Sequence, residues 1–237
     1  MPDANDRPSD GPSDGPTDAS LAATRFLDWT TPSLQDFAVD AAGDGTDRDK
    51  AVRLCHAVRD RIRYDPYSFR LAPEIYVASH CLDAPSAYCV PKAILLAAAA
   101  RAVGIPSRVG FADVRNHLSS PKLTAMMGTD VFRWHGYTLL WLDGRWVKAT
   151  PAFDIGLCTR FGIAPLDFDG VHDSIYHPFD SAGRQHMEYV ADRGGFDDVP
   201  FDIFVAGMRT YYAPMLEMLE AQDRAGARMD DTAFGTA

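Results

Sequence analysis

Residues 86–109, SAYCVPKAILLAAAARAVGIPSRV, decide how this chain folds. From residue 93 to 102 the stretch is built of strong helix formers with almost no polar side chain, which predicts a core helix buried on most of its sides. Pro91 is tolerated only in a first helical turn, where its missing N–H would have been unpaired in any case, so the helix begins near Cys89. Gly104 and Pro106 end it. Cys89 then stands at the positive end of the helix dipole among free backbone N–H groups. That position favours thiolate and can draw a thiol from about 8.5 towards neutrality. A buried cysteine acting as a small hydrophobe is the competing reading.

Downstream, residues 107–114 carry β-branched and aromatic side chains in a short extended run, and a polar loop is expected over 115–130. Two strands follow, 131–142 and 145–149, joined at Asp143-Gly144, the strongest short-range hairpin signal a sequence offers. A two-residue turn fixes the register. Trp141 then faces Trp146, and continued pairing sets Tyr137 against Thr150 and His135 against Ala152. Thr150, and Asp154 if the strand runs on past Pro151, each fall one diagonal step from His135. A cysteine at a helix head needs a base to take its proton and a third group to orient that base, and these usually lie far apart in sequence. Of the seven histidines, His56 falls on a surface helix, His80 in an approach segment, His117 in a loop, and His172, His177 and His186 in a later irregular region. His135 is the strand histidine with a hydroxyl and a carboxylate beside it, although taken alone it fits a satisfied core residue between Trp134 and Gly136 equally well. The candidate catalytic set is Cys89, His135 and Asp154.

Around this centre, residues 47–62 place Val52, Cys55, Val58, Arg59 and Ile62 at helical spacing after a Thr/Asp-rich entry, an amphipathic helix. Residues 1–20, with a doubled SDGP, are expected to be a disordered acidic tail. The segment 21–39 should dock on the core with a turn at Thr31-Pro32-Ser33, and 73–80 should be a short helix or an irregular approach. An apolar helix over 202–222, interrupted at Pro214, should pack on the core before the chain frays over 225–237. One domain is therefore expected over 21–224.

At 46% hydrophobic and 24% charged residues the chain can bury a proper core. A formal net charge of −10 argues against nucleic acid or an anionic membrane as partner. There is no membrane-spanning run and no export signal, so a soluble, cytoplasmic protein is expected. The four cysteines have no CxxC spacing and read as free thiols. Asp167, Asp169, His172, Asp173, His177, His186 and Glu188 match neither an EF-hand loop nor HExxH, so a solvated acidic loop is expected rather than a metal site. No GxSxG, P-loop or GxGxxG is present, and no cofactor is expected. The sequence leaves the oligomeric state open.

Taken together, AYCVPKAILLAAAARAVGIPSRV and WHGYTLLWLDGRWVKATPAFD resemble the transglutaminase-like superfamily of papain-like cysteine catalysts, in its bacterial-type, single-domain form. The resemblance covers residues 64–154. In that family a cysteine heads the core helix, a GIPAR-type sequence leads into the sheet, and a histidine and an aspartate lie on neighbouring strands. It implies an α+β fold with the Cys89 helix packed on an antiparallel sheet. It also implies cysteine-dependent acyl transfer or hydrolysis at a peptide or side-chain amide through a thioester, with a protein or peptide amide as substrate. One departure matters: the family's aspartate usually sits in a DPT-like sequence ending the second hairpin strand, where this chain has Thr150-Pro151-Ala152. A threonine hydroxyl can accept a hydrogen bond from His135 but cannot supply the charge that stabilises imidazolium. Asp154 restores that charge if the chain bends inward, and is the preferred orienter. The alternative is a catalytically silent peptide-binding module on the same fold.

Overall fold

The computed structural model describes residues 15–116, 121–175 and 187–224. In chain order its elements are α1 (Pro32–Ala42), α2 (Asp47–Arg61), β1 (Arg63–Tyr64), α3 (Ala78–Asp83), β2 (Ser86–Ala87), α4 (Cys89–Ala102), β3 (Ser107–Asn116), α5 (Pro121–Met127), β4 (Val131–Leu142), β5 (Arg145–Ala149), α6 (Ile155–Phe161), β6 (Met187–Phe196) and α7 (Phe201–Arg224). The alanine-rich stretch forms α4 as expected, and every residue from Cys89 to Arg101 is buried. It lies on β4 and β3 on one side and is covered by α1, α2 and α3 on the other, which gives the α+β architecture. Small alanines let these five elements approach one helix closely.

Two charged residues are buried with α4, and both are spent on backbone carbonyls. Lys92 donates to the carbonyls of Arg59, Ile62 and Ala152. Arg101 donates to those of Ala22, Ser107 and Asp197. Each satisfies carbonyls that would otherwise be orphaned in the core. Lys92 in this way pins the end of α2 and the chain beyond β5 to the first turn of α4. Burial pushes its ammonium down to about 8.

α2 begins at Thr46, whose side chain accepts from the Asp49 N–H in a capping box. Thr31-Pro32-Ser33 is not a free-standing turn: Thr31 is the N-cap of α1 and Pro32 sits in its first turn, where proline's fixed φ suits a helix start. The four-stranded sheet runs β5-β4-β3-β6, antiparallel throughout. The hairpin has the expected register, with Trp141 facing Trp146 and Thr138 facing Ala149. Asp143 and Gly144 are both left-handed, at φ 50° and 82°, as a type I′ turn requires.

The ladder ends at Ala149, so the expected pairings of Tyr137 with Thr150 and His135 with Ala152 do not form. Pro151 has no N–H with which to continue it. Thr150 instead donates its N–H to the Ser174 carbonyl, and Ser174 donates to the Lys148 carbonyl. The segment 173–175 is thereby laid against the end of the hairpin. Strand β6 was not expected, because Gly194-Gly195 and its charged residues hide the alternation of a strand. Gly195 lies close under Leu139: a Cβ there would stand 2.2 Å from Leu139 Cδ1, and that side chain would have to shift. The loop expected over 115–130 contains α5. Of the expected tail, residues 1–14 lie outside the described part, as do His117, His177, His186 and residues 225–237. Asp18–Ser20 form one 3-10 turn whose buried Ser20 donates to Asp197.

Candidate active site

Cys89 is the first residue of α4, after the N-cap Tyr88. β4 passes directly over this helix head, and the approach depends on one glycine: a Cβ on Gly136 would lie 2.7 Å from Val90 Cα, so no other residue fits. The Gly136 N–H therefore reaches the Cys89 sulfur, as do the N–H groups of Val90 and of Cys89 itself. These donors and the helix dipole favour thiolate. Burial outweighs them and pushes the Cys89 thiol up to about 11. The expected lowering is thus reversed, because a charge loses more by leaving water here than three N–H dipoles return.

His135 is placed by a strained residue. Trp134 immediately before it has φ 60°, a genuine outlier for a bulky side chain and a cost of ~1–3 kcal/mol. Asp113 holds that conformation. It lies in a bulge of β3 between Ala112 and Val114, is 2% exposed, and accepts from the Trp134 N–H at 3.1 Å. The same carboxylate takes Arg193 through two nitrogens and Arg133 through one. The Trp134 ring is packed against Phe111 and Phe204 and capped by the Arg193 guanidinium. His135 emerges from this turn buried, and its ring hydrogen-bonds to the Ile175 carbonyl. The buried Nε2 has no hydrogen-bond partner. Burial pushes the imidazole down to about 4, against the opposing pull of the Ile175 carbonyl. At neutral pH the two groups thus stand as thiol and neutral imidazole.

Asp154 goes elsewhere. It is the N-cap of α6, accepting from the Leu157 N–H at 2.9 Å, while its second oxygen accepts from the Tyr64 N–H at 2.8 Å. One ring nitrogen of His135 is on Ile175 and Nε2 is free, so Asp154 is not hydrogen-bonded to that ring. It serves as a counter-charge to buried Lys92 and ties β1 to α6. Thr150 is buried with its hydroxyl unpartnered, and only its backbone acts, through the bridge to Ser174. That bridge is what delivers the next residue, Ile175, to His135. A backbone carbonyl has no residue signature, which is why sequence reasoning could not find it.

Cys89 and His135 open into one cavity of about 70 Å3, walled by Tyr64, Tyr88 and Trp134 and by the methionines Met127, Met208 and Met215. Two of these methionines belong to α7. That helix is seated by Tyr212, which leaves helical geometry at φ −130° two residues before Pro214. Its hydroxyl accepts from the Arg133 N–H at 2.6 Å and donates to the Val131 carbonyl at 3.1 Å, capping the open edge of β4. Among the described residues no group of three or more His, Cys, Asp or Glu side chains is arranged to hold a metal ion.

Residues 35–151 match the family model of the transglutaminase-like superfamily. That segment carries Cys89, His135 and the hairpin, and through it the chain is similar to this superfamily. Among solved structures it is similar to a putative cysteine protease from Cytophaga hutchinsonii, with a TM-score of 0.43 and 16% identity. The similarity covers 75% of this chain and 53% of that one, so the chain spans about half the length of that protein. No curated protein matches the chain.

Proposed function

We propose that the protein is a cysteine-dependent acyl-transfer enzyme acting at a peptide or side-chain amide. The observation that carries this reading is the meeting of Cys89 and the unpartnered Nε2 of His135 in one pocket. A neutral imidazole beside a neutral thiol is a general base waiting for an electrophile. When a carbonyl enters, Nε2 takes the sulfur's proton as Sγ attacks. The Cys89 N–H is the candidate donor to the developing oxyanion. The imidazolium then protonates the departing amine, and the thioester left on Cys89 is resolved by water or by a second amine, with His135 again as base. Ile175 takes the orienting role through its carbonyl. Lacking a full charge, it stabilises imidazolium less than a carboxylate would. Asp154 acts at one remove, holding Tyr64 in the pocket wall.

Intact-mass measurement after exposure to an activated acyl ester tests this. A single acyl adduct should form on Cys89, vanish in Cys89→Ala, and form at least a hundredfold more slowly in His135→Ala, the usual worth of a general base. A protein that binds peptides yet forms no adduct would be the catalytically silent module.

A further inference from the structure

Several of the polar atoms on the walls of the Cys89 pocket are already spoken for, and the buried ones without a partner are Nε2 of His135 and Nε1 of Trp134. The Tyr88 hydroxyl donates to Tyr76, whose own hydroxyl donates to the Arg70 carbonyl. The Tyr212 hydroxyl is held by Val131 and Arg133. The Arg133 guanidinium is on Asp113 and lies over the Tyr211 ring. These residues therefore offer an occupant their rings and stems, and Met127, Met208 and Met215 add soft thioethers. A polar or charged group entering would lose its water and find few partners on a mostly apolar wall.

The space is also small. At about 70 Å3 it is roughly half of the ~150 Å3 engineered cavity that holds benzene, which is room for about three heavy atoms beyond the carbonyl carbon held at the sulfur. Two of the three methionines stand on α7, outside the segment 35–151 shared with the family.

We propose that this pocket is the acyl subsite and that it selects a short aliphatic acyl group, of butyryl size, over polar or charged groups of equal length. The inference rests on the thioester chemistry proposed above. In the reaction the Sγ–acyl bond forms as the acyl–leaving-group bond breaks, with the thiol proton passing to His135 and on to the leaving group.

Four p-nitrophenyl esters separate the possibilities: acetate, butanoate, octanoate and hemisuccinate. Each acylation rate of Cys89 is divided by that of free cysteine, which removes the intrinsic reactivity of the ester. Two further methylenes at ~0.8 kcal/mol each should favour butanoate over acetate by about tenfold. Hemisuccinate, of the same length but charged, should lag butanoate by tenfold or more, and octanoate should fall behind for want of room. Met208→Lys should bring hemisuccinate level with butanoate or ahead of it. Met208→Ala, which enlarges the space without charge, should move the optimum towards octanoate and covers the case in which the lysine variant does not fold. If none of the esters acylates Cys89, the nucleophile reading itself falls. If all acylate it in the free-cysteine order, or if the preference survives both Met208 variants, the nucleophile stands and the acyl subsite is overturned.

Discussion

Cys89 and His135 are both driven to their neutral forms by burial, the thiol up to about 11 and the imidazole down to about 4. A resting thiolate–imidazolium pair would need the reverse order of these two values. Alkylation of Cys89 by iodoacetamide should therefore climb with pH from about 8 towards 11 with no shoulder near pH 6, as peptide mass mapping across a pH series would show. A shoulder below pH 7 that disappears in His135→Ala would establish the ion pair instead. The third group is tested at the same scale. Asp154→Asn keeps an N-cap oxygen for Leu157 but turns an acceptor away from the Tyr64 N–H, so it should lower the melting temperature while turnover falls less than tenfold. Loss of a true triad carboxylate costs on the order of 10⁴, and a fall of that size would return the orienting role to Asp154. Thr150→Val removes a buried hydroxyl without a partner and should stabilise the protein by about 1 kcal/mol in denaturant unfolding. Lost turnover in that variant would mean the hydroxyl serves the reaction.

The next scale is the bulged strand β3 against β4. Asp113 sits in the bulge and joins two guanidiniums and the Trp134 N–H, so one carboxylate both neutralises charge and maintains the left-handed residue that aims His135. It is a positioning residue. Asp113→Asn should cost about 2 kcal/mol in stability and reduce kcat tenfold or more with KM little changed, since substrate contacts are intact while the base is misplaced. A rise in KM with kcat unchanged would show that the cluster shapes the pocket rather than the histidine. β4 and α7 meet by a different device. Pro214 breaks helical hydrogen bonding, and the kink at Tyr212 turns that hydroxyl onto the Val131 and Arg133 backbone, so the edge of β4 is closed by a side chain.

For the whole molecule, pH acts through the buried groups. His135 has a folded pKa below its unfolded 6.5, so the unfolded chain binds the extra proton and stability is lost as pH falls from about 6.5 towards 4. Cys89 has a folded pKa above its unfolded 9.0, so its share is complete below 9 and lost as pH rises towards 11. Cys55, Cys81 and Cys158 are raised by burial as well, which steepens the alkaline side. Lys92, lowered from 10.5 to about 8, works against the cysteines by adding stability as pH rises from about 8 to 10.5. Melting temperature should be flat between about pH 6.5 and 8, and His135→Gln should flatten the slope between 4 and 6.5. An unchanged acid slope in that variant would move the cause to the carboxylates. The chain's start can be tested likewise. Deletion of residues 1–14, which carry almost no apolar side chain, should leave the melting temperature unchanged. Deletion through Ser20 should lower it, because the Ser20 bond to Asp197 goes with it.

Much of the core was legible in residues 86–154, because the signals there are local. An alanine run bounded by Pro91 and Gly104 specifies α4 with Cys89 at its head, and Asp143-Gly144 specifies a hairpin register that carries His135 on β4. Those are properties of chiral backbone and side-chain volume within a few residues. The ionisation of Cys89 was not legible, since the helix dipole is encoded locally whereas the burial that outweighs it is contributed by elements from all along the chain. Nor was the partner of His135, because a carbonyl at Ile175 is the same group at every residue and only the bridge of Ser174 to the end of β5 delivers it. Asp113, β6 and the α7 methionines belong with these: their roles depend on which distant surface they meet, and that was settled only when the chain closed on itself.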